Sequence, residues 1–500
     1  MRVAVSSEHN IAEPPAVHVS SRDWGRWIAL GIVGILIAQI AALHSLRHDD
    51  AYITFRYSQN LANGEGLVFN VGERIMGSTA PGYALLGAIF YPLVPRDVFP
   101  SLMSAVGCMG WTAQSLALGT ILAKDCKGRA VFIALCIATG AALSYRFVAL
   151  ETNIAAALGL WAVERGLRGK WVTAAALCSL AGLTRPDAYL YGFPLVVLCV
   201  RDLGWRSLWP GTVGAAISAP WLVFSWGYFG TIIPQSAVAK LQSVPATEYS
   251  FILLNYTTSS LSSMTMSLGY LSPIVSPWRA CLVGALAVAG SVLLIRGRAR
   301  LIVLPVILAL HVVAYMLLRA SVGIEWHLYP IGLMTIVLVL TAVYKLASLI
   351  ARGHRGKWAI LALPVVIFSY RTVDFARVQP HAYWYGARDQ AYRNVAGYLN
   401  AHASPNDGVV ADEVGTVAYY TGLRMVDTAG LVTRDPKSAM ASSTPRWVLS
   451  SYGHTPQFPR MHKVYQARSS QISQEEMHLP HAKFFTVWLL NEGLRTHSQP

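Results

Sequence analysis

Residues 48–62, HDDAYITFRYSQNLA, decide how the rest of the chain is read. Asp49 and Asp50 stand side by side a few residues after the first long apolar run ends. A helix starting there stacks Tyr52, Phe55 and Arg56 on neighbouring turns. Adjacent carboxylates at a membrane boundary are costly, because like charges raise each other's pKa and desolvation adds to the cost. The bland explanation is that Asp49 caps a surface helix, as Asp and Asn commonly do.

Outside this stretch the composition is that of a membrane protein. The 500 residues are 54% apolar and only 13% charged, with a mean hydropathy of +0.43. Repeated apolar runs long enough to cross a bilayer must satisfy their own backbone, which makes them helices. The first run, Trp27 to Leu43, follows a polar N-terminus carrying Arg22 and Arg26. No small-x-small cleavage site follows it and many more spans do, which argues against a signal peptide. The net charge of +15 does not point to nucleic acid. Basic residues gather in short connectors (Lys124/Lys127/Arg129, Arg165/Arg168/Lys170, Arg201/Arg206, Arg296/Arg298/Arg300, Arg352/Arg355/Lys357), the positive-inside pattern of cytoplasmic loops. The six cysteines fall in spans or in these connectors, so no structural disulfide is expected, and no Cys/His spacing suggests zinc.

Residues 63–86 continue as NGEGLVFNVGERIMGSTAPGYALL. The block from Asp49 resembles the first extracytoplasmic loop of GT-C glycosyltransferases, nearest the terminal arabinofuranosyltransferases of mycobacteria and their proteobacterial relatives. Those carry a DDAFI-FRYARNLA-G-GLVFNPGERVEG-T-PL-like run. The match here is carried by Asp49, Asp50, Ala51, Arg56, Tyr57, Asn60, Leu61, Gly64, Gly66, Leu67, Val68, Phe69, Asn70, Gly72, Glu73 and Arg74. Met76 and Ala80-Pro81-Gly82 depart from it. The resemblance implies a polytopic α-helical GT-C fold, with about 11 spans, two juxtamembrane helices and a small C-terminal extracytoplasmic α/β domain.

In chain order, residues 1–25 form a cytoplasmic tail and 26–370 the transmembrane domain, with extracytoplasmic loops at 46–100 and 227–275. Span one covers about 26–45. The apolar piece at 80–95, broken by Pro81, Pro92 and Pro95, is an interfacial helix, because a crossing there would break the alternation of basic connectors. Spans follow at about 101–123, 130–144, 147–163, 171–184, 188–200, 209–226, 278–296, 301–319, 327–351 and 358–370. Glu151 falls within a span near its outer end, and an intramembrane carboxylate is a functional candidate, with a structural hydrogen-bonded Glu as the alternative. In LTRPD, Arg185 and Asp187 are spaced to pair with each other at a corner set by Pro186, and a similar run occurs in the same relatives. Lys240, in an outer segment resembling the relatives' YYG-PN-AK, is a candidate phosphate contact or a solvated lysine. His327 crowds with Glu325, Trp326 and Tyr329 at an outer mouth. Residues 371–500 read as an α/β domain: a helix at 386–401, then strands at GVVAD, Arg424–Val426, Trp447–Leu449 and Phe484–Leu490.

Transfer of a sugar from a lipid phosphate needs a base for the acceptor hydroxyl, cations for the leaving phosphate, and a site that meets both lipid and water. Asp49 is expected as the base with Asp50 supporting, by resemblance in a single inverting displacement. Arg56, Tyr57, Glu151, Arg185, Asp187, Lys240 and His327 are the expected donor-phosphate or substrate contacts. Paired carboxylates beside a phosphate also admit a divalent cation, with Asp49 as its ligand, and no other cofactor is indicated. The expected partners are a polyprenyl-phosphate sugar (arabinofuranose) donor, membrane lipid, and a glycan, lipid-linked glycan or protein acceptor outside a bacterial inner membrane. Alternatives are transfer of a hexose, mannose or aminoarabinose onto lipid A, O-antigen or protein, and a transporter or lipid flippase. A transporter should show two similar halves with interrupted helices at matching positions. No such repeat is present, and the unusual features gather on one face.

Overall fold

The computed structural model describes residues 48–122, 148–242, 277–317, 325–350, 388–442, 445–450, 461–467 and 485–490, with parts of 30–41. The first of its helices to bear on function is α1, Asp49–Ala62. His48, in extended conformation, caps it by accepting a hydrogen bond from Asp50 N at 3.3 Å. Asp49 and Asp50 therefore fill the first turn, where the helix dipole favours negative charge. All ten residues from Ala51 to Asn60 are buried. A helix buried on every side must satisfy its polar groups internally, and α1 does so. Ser58 Oγ donates to Ala84 O, and Asn60 Nδ2 donates to Val68 O and Phe69 O.

Helix α2, Pro81–Phe90, begins with Pro at the position where a missing N–H costs nothing, and ends in a 3-10 turn, Tyr91–Leu93. At 10 residues it is about 15 Å long, too short to cross a bilayer. The expectation of two short helices in the first loop is met.

The membrane half follows. It comprises α3 (Phe99–Leu122), α4 (Thr152–Leu167), α5 (Trp171–Thr184), a 3-10 turn (Pro186–Tyr191), α6 (Phe193–Leu203) and α7 (Leu208–Phe229). A short helix, α8 (Gln235–Gln242), precedes α9 (Pro277–Gly297), α10 (Val303–Leu317) and α11 (Glu325–Ile350). Among the described residues three segments, Phe99–Leu122, Ala299–Leu317 and Tyr329–Leu346, are long and apolar enough to span a membrane. One expected span is corrected. Residues 188–200 are not one helix: the turn at 186–191 takes the first four of them, and α6 at 11 residues is only about 16 Å long. Spans expected at 130–144 and 358–370, the Ser-rich loop after 242 and the domain boundary at 370/371 lie outside the described residues, and that at 26–45 largely so.

Helix packing is close where side chains are absent. A Cβ on Gly107 of α3 would stand 1.7 Å from Val148 O, so only glycine lets the two segments touch. The ends of α3, α6 and α9 share one basic face: Arg298 donates to Leu122 O at 3.2 Å, and Arg300 pairs with Asp202 at 2.9 Å.

The C-terminal unit holds α12 (Arg388–His402), β1 (Gly408–Ala411), α13 (Gly415–Thr421), β2 (Arg424–Asp427), α14 (Pro436–Ser442), β3 (Trp447–Ser450), β4 (Met461–Ala467) and β5 (Phe485–Leu490). The sheet order is β2-β1-β3-β5-β4. The first three strands are parallel and β5 runs antiparallel to both neighbours. β1, β3 and all but the first residue of β2 are buried, the pattern of a parallel core covered on both faces. The sequence showed four of these strands; β4 went unread because its MHKVYQA pattern is half polar.

Loop 63–75 is stitched to this unit. The Asn70 amide imitates a strand on the β2 edge, donating to Met425 O at 2.9 Å and accepting from Met425 N at 3.0 Å. Glu73 pairs with Arg424 at 2.6 Å. Tyr52 OH donates to Asp389 at 2.8 Å, and Arg393 donates to the same Asp389. Replacing Asn70 with Ala removes two buried hydrogen bonds and leaves Met425 N–H and C=O unpaired. The expected cost is about 2–4 kcal/mol, read as a lower melting temperature and faster proteolysis between residues 403 and 460; unchanged melting would contradict the clasp.

Candidate functional site

The two carboxylates of the pair have different surroundings. Asp49 accepts three hydrogen bonds from the start of α13: Gly415 N at 2.9 Å, Thr416 N at 2.7 Å and Thr416 Oγ1 at 2.7 Å. Gly415 permits this approach, because a Cβ there would fall 2.0 Å from Asp49 O. Asp50, one residue on, has a side chain 31% exposed and lies 4.0 Å from His48 Nδ1. Asp49 is thus a fastened carboxylate and Asp50 an open one.

The segment that follows the first loop is tied to α1, to α8 and to residues 427–433. Thr54 Oγ1 and Ser78 Oγ lie 3.3 Å apart, holding the 77–80 loop on α1. That loop packs on residues 427–433, since a Cβ on Gly77 would stand 2.7 Å from Val432 Cγ1. Gln235, at the start of α8, donates from its backbone to Met76 O at 2.7 Å and from its side chain to Gly430 O at 3.2 Å. The fully buried Asp427 organises the last loop by accepting from Ala429 N, Leu431 N and Val432 N. Burial pushes the Asp427 carboxyl above its usual range; the three amides oppose that rise, and the charge of Asp50 adds to it.

Two expected phosphate contacts are committed elsewhere. Arg56 is buried, and donates from Nε to Phe69 O, from Nη1 to Gln59 Oε1 and from Nη2 to Gly422 O, at 3.2, 2.9 and 2.9 Å. Burial, with Arg96 nearby, draws its pKa down to about 10. Tyr57 OH donates to Ile75 O at 2.6 Å and accepts from Gly77 N at 2.8 Å, and burial raises its pKa. Both shape the loop that carries the site. Lys240 lies on α8, five residues after Gln235.

Glu151, Arg185, Asp187 and His327 are brought together in a second cluster, in the membrane half. Arg185 donates to Glu151 Oε1 at 2.9 Å and Thr152 Oγ1 at 3.3 Å, and its Nε meets both oxygens of Asp187 at 2.8 and 3.0 Å. Tyr315 OH donates to Asp187, and the Tyr315 ring stacks on His327 with centroids 5.6 Å apart. Tyr315 was missed because an aromatic inside an apolar helix reads as lipid-facing; its position four residues after His311 was the available signal. Helix α2 lies over this cluster: a Cβ on Gly82 would stand 3.0 Å from Leu183 O. Among the described residues no three His, Cys, Asp or Glu side chains converge as a metal site, and two Asp49 oxygens are already hydrogen-bonded to amides.

A terminal beta-(1->2)-arabinofuranosyltransferase of Mycobacterium tuberculosis is 26% identical over 237 residues, covering 43% of this chain and 38% of the relative. One from Corynebacterium glutamicum is 28% identical over 232 residues, covering 39% and 33%. The matched region thus spans little more than a third of the length of these relatives. The crystal structure of ArnT from Cupriavidus metallidurans bound to undecaprenyl phosphate covers 94% of this chain and 98% of its own, with a TM-score of 0.56 at 13% identity. Its apo form gives 0.58 over 93% of this chain. This chain has the GT-C fold. The C-terminal unit also matches the family profile of a domain of unknown function (DUF8728) over residues 381–483.

Removing Arg185 would strand two buried carboxylates. Arg185→Met is expected to cost about 3–5 kcal/mol, read as loss of folded protein after extraction. Neutralising the two carboxylates as well, with Glu151→Gln and Asp187→Asn added to Arg185→Met, should recover much of it; no recovery would show that the cluster acts otherwise.

Proposed function

We propose that the chain is a glycosyltransferase that moves arabinofuranose from a polyprenyl-phosphate donor to a glycan or glycoconjugate acceptor outside a bacterial inner membrane. The observation that carries this reading is the Asp50 carboxylate, 31% exposed in the first turn of a buried helix, beside an Asp49 that is fastened to α13. The relatives in Mycobacterium and Corynebacterium support the sugar, and the undecaprenyl phosphate bound to ArnT supports a polyprenyl carrier.

In this reading Asp50, rather than Asp49, takes the proton of the acceptor hydroxyl as its oxygen attacks the anomeric carbon. The bond to the phosphate oxygen breaks, polyprenyl phosphate leaves, and the configuration inverts. A base must reach its proton, and Asp49 has its lone pairs turned to α13. The carboxylate also steadies the oxocarbenium-like transition state. Arg56 and Arg185 are engaged within the protein, and the phosphate role proposed for Lys240 rests on its place in the segment resembling the relatives' YYG-PN-AK.

The test is transfer from synthetic polyprenyl-phosphoryl arabinofuranose by the purified full chain. Asp50→Asn should lower turnover by about 10²–10⁴-fold at unchanged melting temperature. Asp49→Asn should instead lower the melting temperature, with activity falling only as folded protein is lost. The opposite assignment of effects would make Asp49 the base. The ArnT likeness over nearly the whole chain favours a second reading, in which another sugar rides the same carrier. It would be distinguished by polyprenyl phosphate released from a hexosyl or aminoarabinosyl donor and none from the arabinosyl one.

A further inference from the structure

Between α5, α6 and α7 lies a cavity of about 750 Å³, lined among others by Trp171, Cys178, Gly192, Val196, Val200 and Leu208. It exists because α6 is short. The 3-10 turn at 186–191 and the 11-residue helix leave a gap where a full span would fill the wall. The surrounding surface is apolar and open, with Phe193, Val196, Val197 and Val223 each more than 60% exposed. Within a bilayer such a groove is filled by a lipid chain, since water there would leave its own hydrogen bonds unmade.

The two ends of the groove differ in charge. At the end nearer the second cluster, Tyr189 OH and Ser218 Oγ are paired at 2.9 Å, and the charges closest in sequence, Arg185 and Asp187, are ion-paired with each other. At the other end Lys170, Arg201 and Arg206 are each the sequence neighbour of a lining residue (Trp171, Val200 and Ser207), and all three are exposed. Arg300 engages Asp202 at 2.9 Å, and Arg201 lies 3.5 Å from the same carboxylate, so this single acid does not neutralise the rim. Trp205 and Trp209, 78% and 67% exposed, stand beside it as headgroup-level aromatics do.

We infer that this groove holds an acyl chain of an anionic glycerophospholipid from the leaflet at the basic face, with its phosphate over Arg201, Arg206 and Lys170. A polyprenyl phosphate entering from the end nearer the second cluster would find Arg185 already ion-paired with Asp187 and Glu151. The lipid is a resident of the fold, independent of the sugar chemistry, and fills the wall that α6 leaves incomplete.

The experiment compares dioleoylphosphatidylglycerol with dioleoylphosphatidylcholine on the purified full chain, by native mass spectrometry and thermal melting in mixed micelles. The wild type should retain the anionic lipid preferentially and melt at higher temperature with it. The pair Arg201→Gln/Arg206→Gln should reduce the preference about tenfold while leaving retention of the neutral lipid unchanged. Ala215→Phe, which fills the groove from its open side, should lose both lipids; Val196→Phe gives the same reading if that variant does not fold. Equal binding of the two lipids by the wild type, or full retention in both groove-filling variants, would overturn the proposal. Displacement of the phosphatidylglycerol by undecaprenyl phosphate, indifferent to the arginine pair, would assign the groove to the polyprenyl carrier instead and overturn it too.

Discussion

Three hydrogen bonds from Gly415 and Thr416 to Asp49 are the constraint on which the rest of the site depends. They join the first turn of α1 to the first turn of α13, two helix starts that would otherwise repel through their like dipole ends. The carboxylate placed between them makes the approach favourable. A bond of this type, charged acceptor to backbone amide, is about twice as strong as a neutral one. The close contact at Gly415 fixes the distance, and the neighbouring Asp50 keeps a partly exposed carboxylate in the same turn.

The same logic governs the loop that follows α1. Asn70 and Glu73 bind the edge of β2, Arg56 reaches Gly422 O, and Asn60 holds the turn at Val68 and Phe69. Residues separated by some 350 positions are therefore parts of one packed body. The polar groups of α1 organise structure on all sides, and Asp50 is left open. In the membrane half a second group of polar residues, Glu151, Arg185, Asp187 and Tyr315, is self-satisfied by ion pairing and joins α4, α5 and α10 beneath α2.

Much of this was legible in the sequence. The acidic pair, the two short helices of the first loop, most long helices and the parallel strands GVVA and WVLS all announce themselves through periodicity and turn chemistry. The LTRPD corner was read as an Arg–Asp pair, and Arg185 and Asp187 do pair. Other features were not legible, because they depend on contacts distant in sequence. Nothing local distinguishes Asp49 from Asp50; their roles part only when α13 arrives from residue 415. Arg56 resembles a phosphate ligand until Gly422 O is placed beside it. The span expected over 188–200 was misread because apolar content says nothing of the 3-10 turn that Pro186 begins.

The most direct test of the account is amide hydrogen exchange at Gly415 and Thr416, compared between the wild type and Asp49→Asn. The account predicts slow exchange in the wild type and a rise of at least about tenfold in the variant, spreading to Met425 as the clasp at Asn70 loosens. Exchange that is fast in the wild type, or unchanged by the substitution, would show that Asp49 does not hold the two halves together, and would return it to the role of free carboxylate.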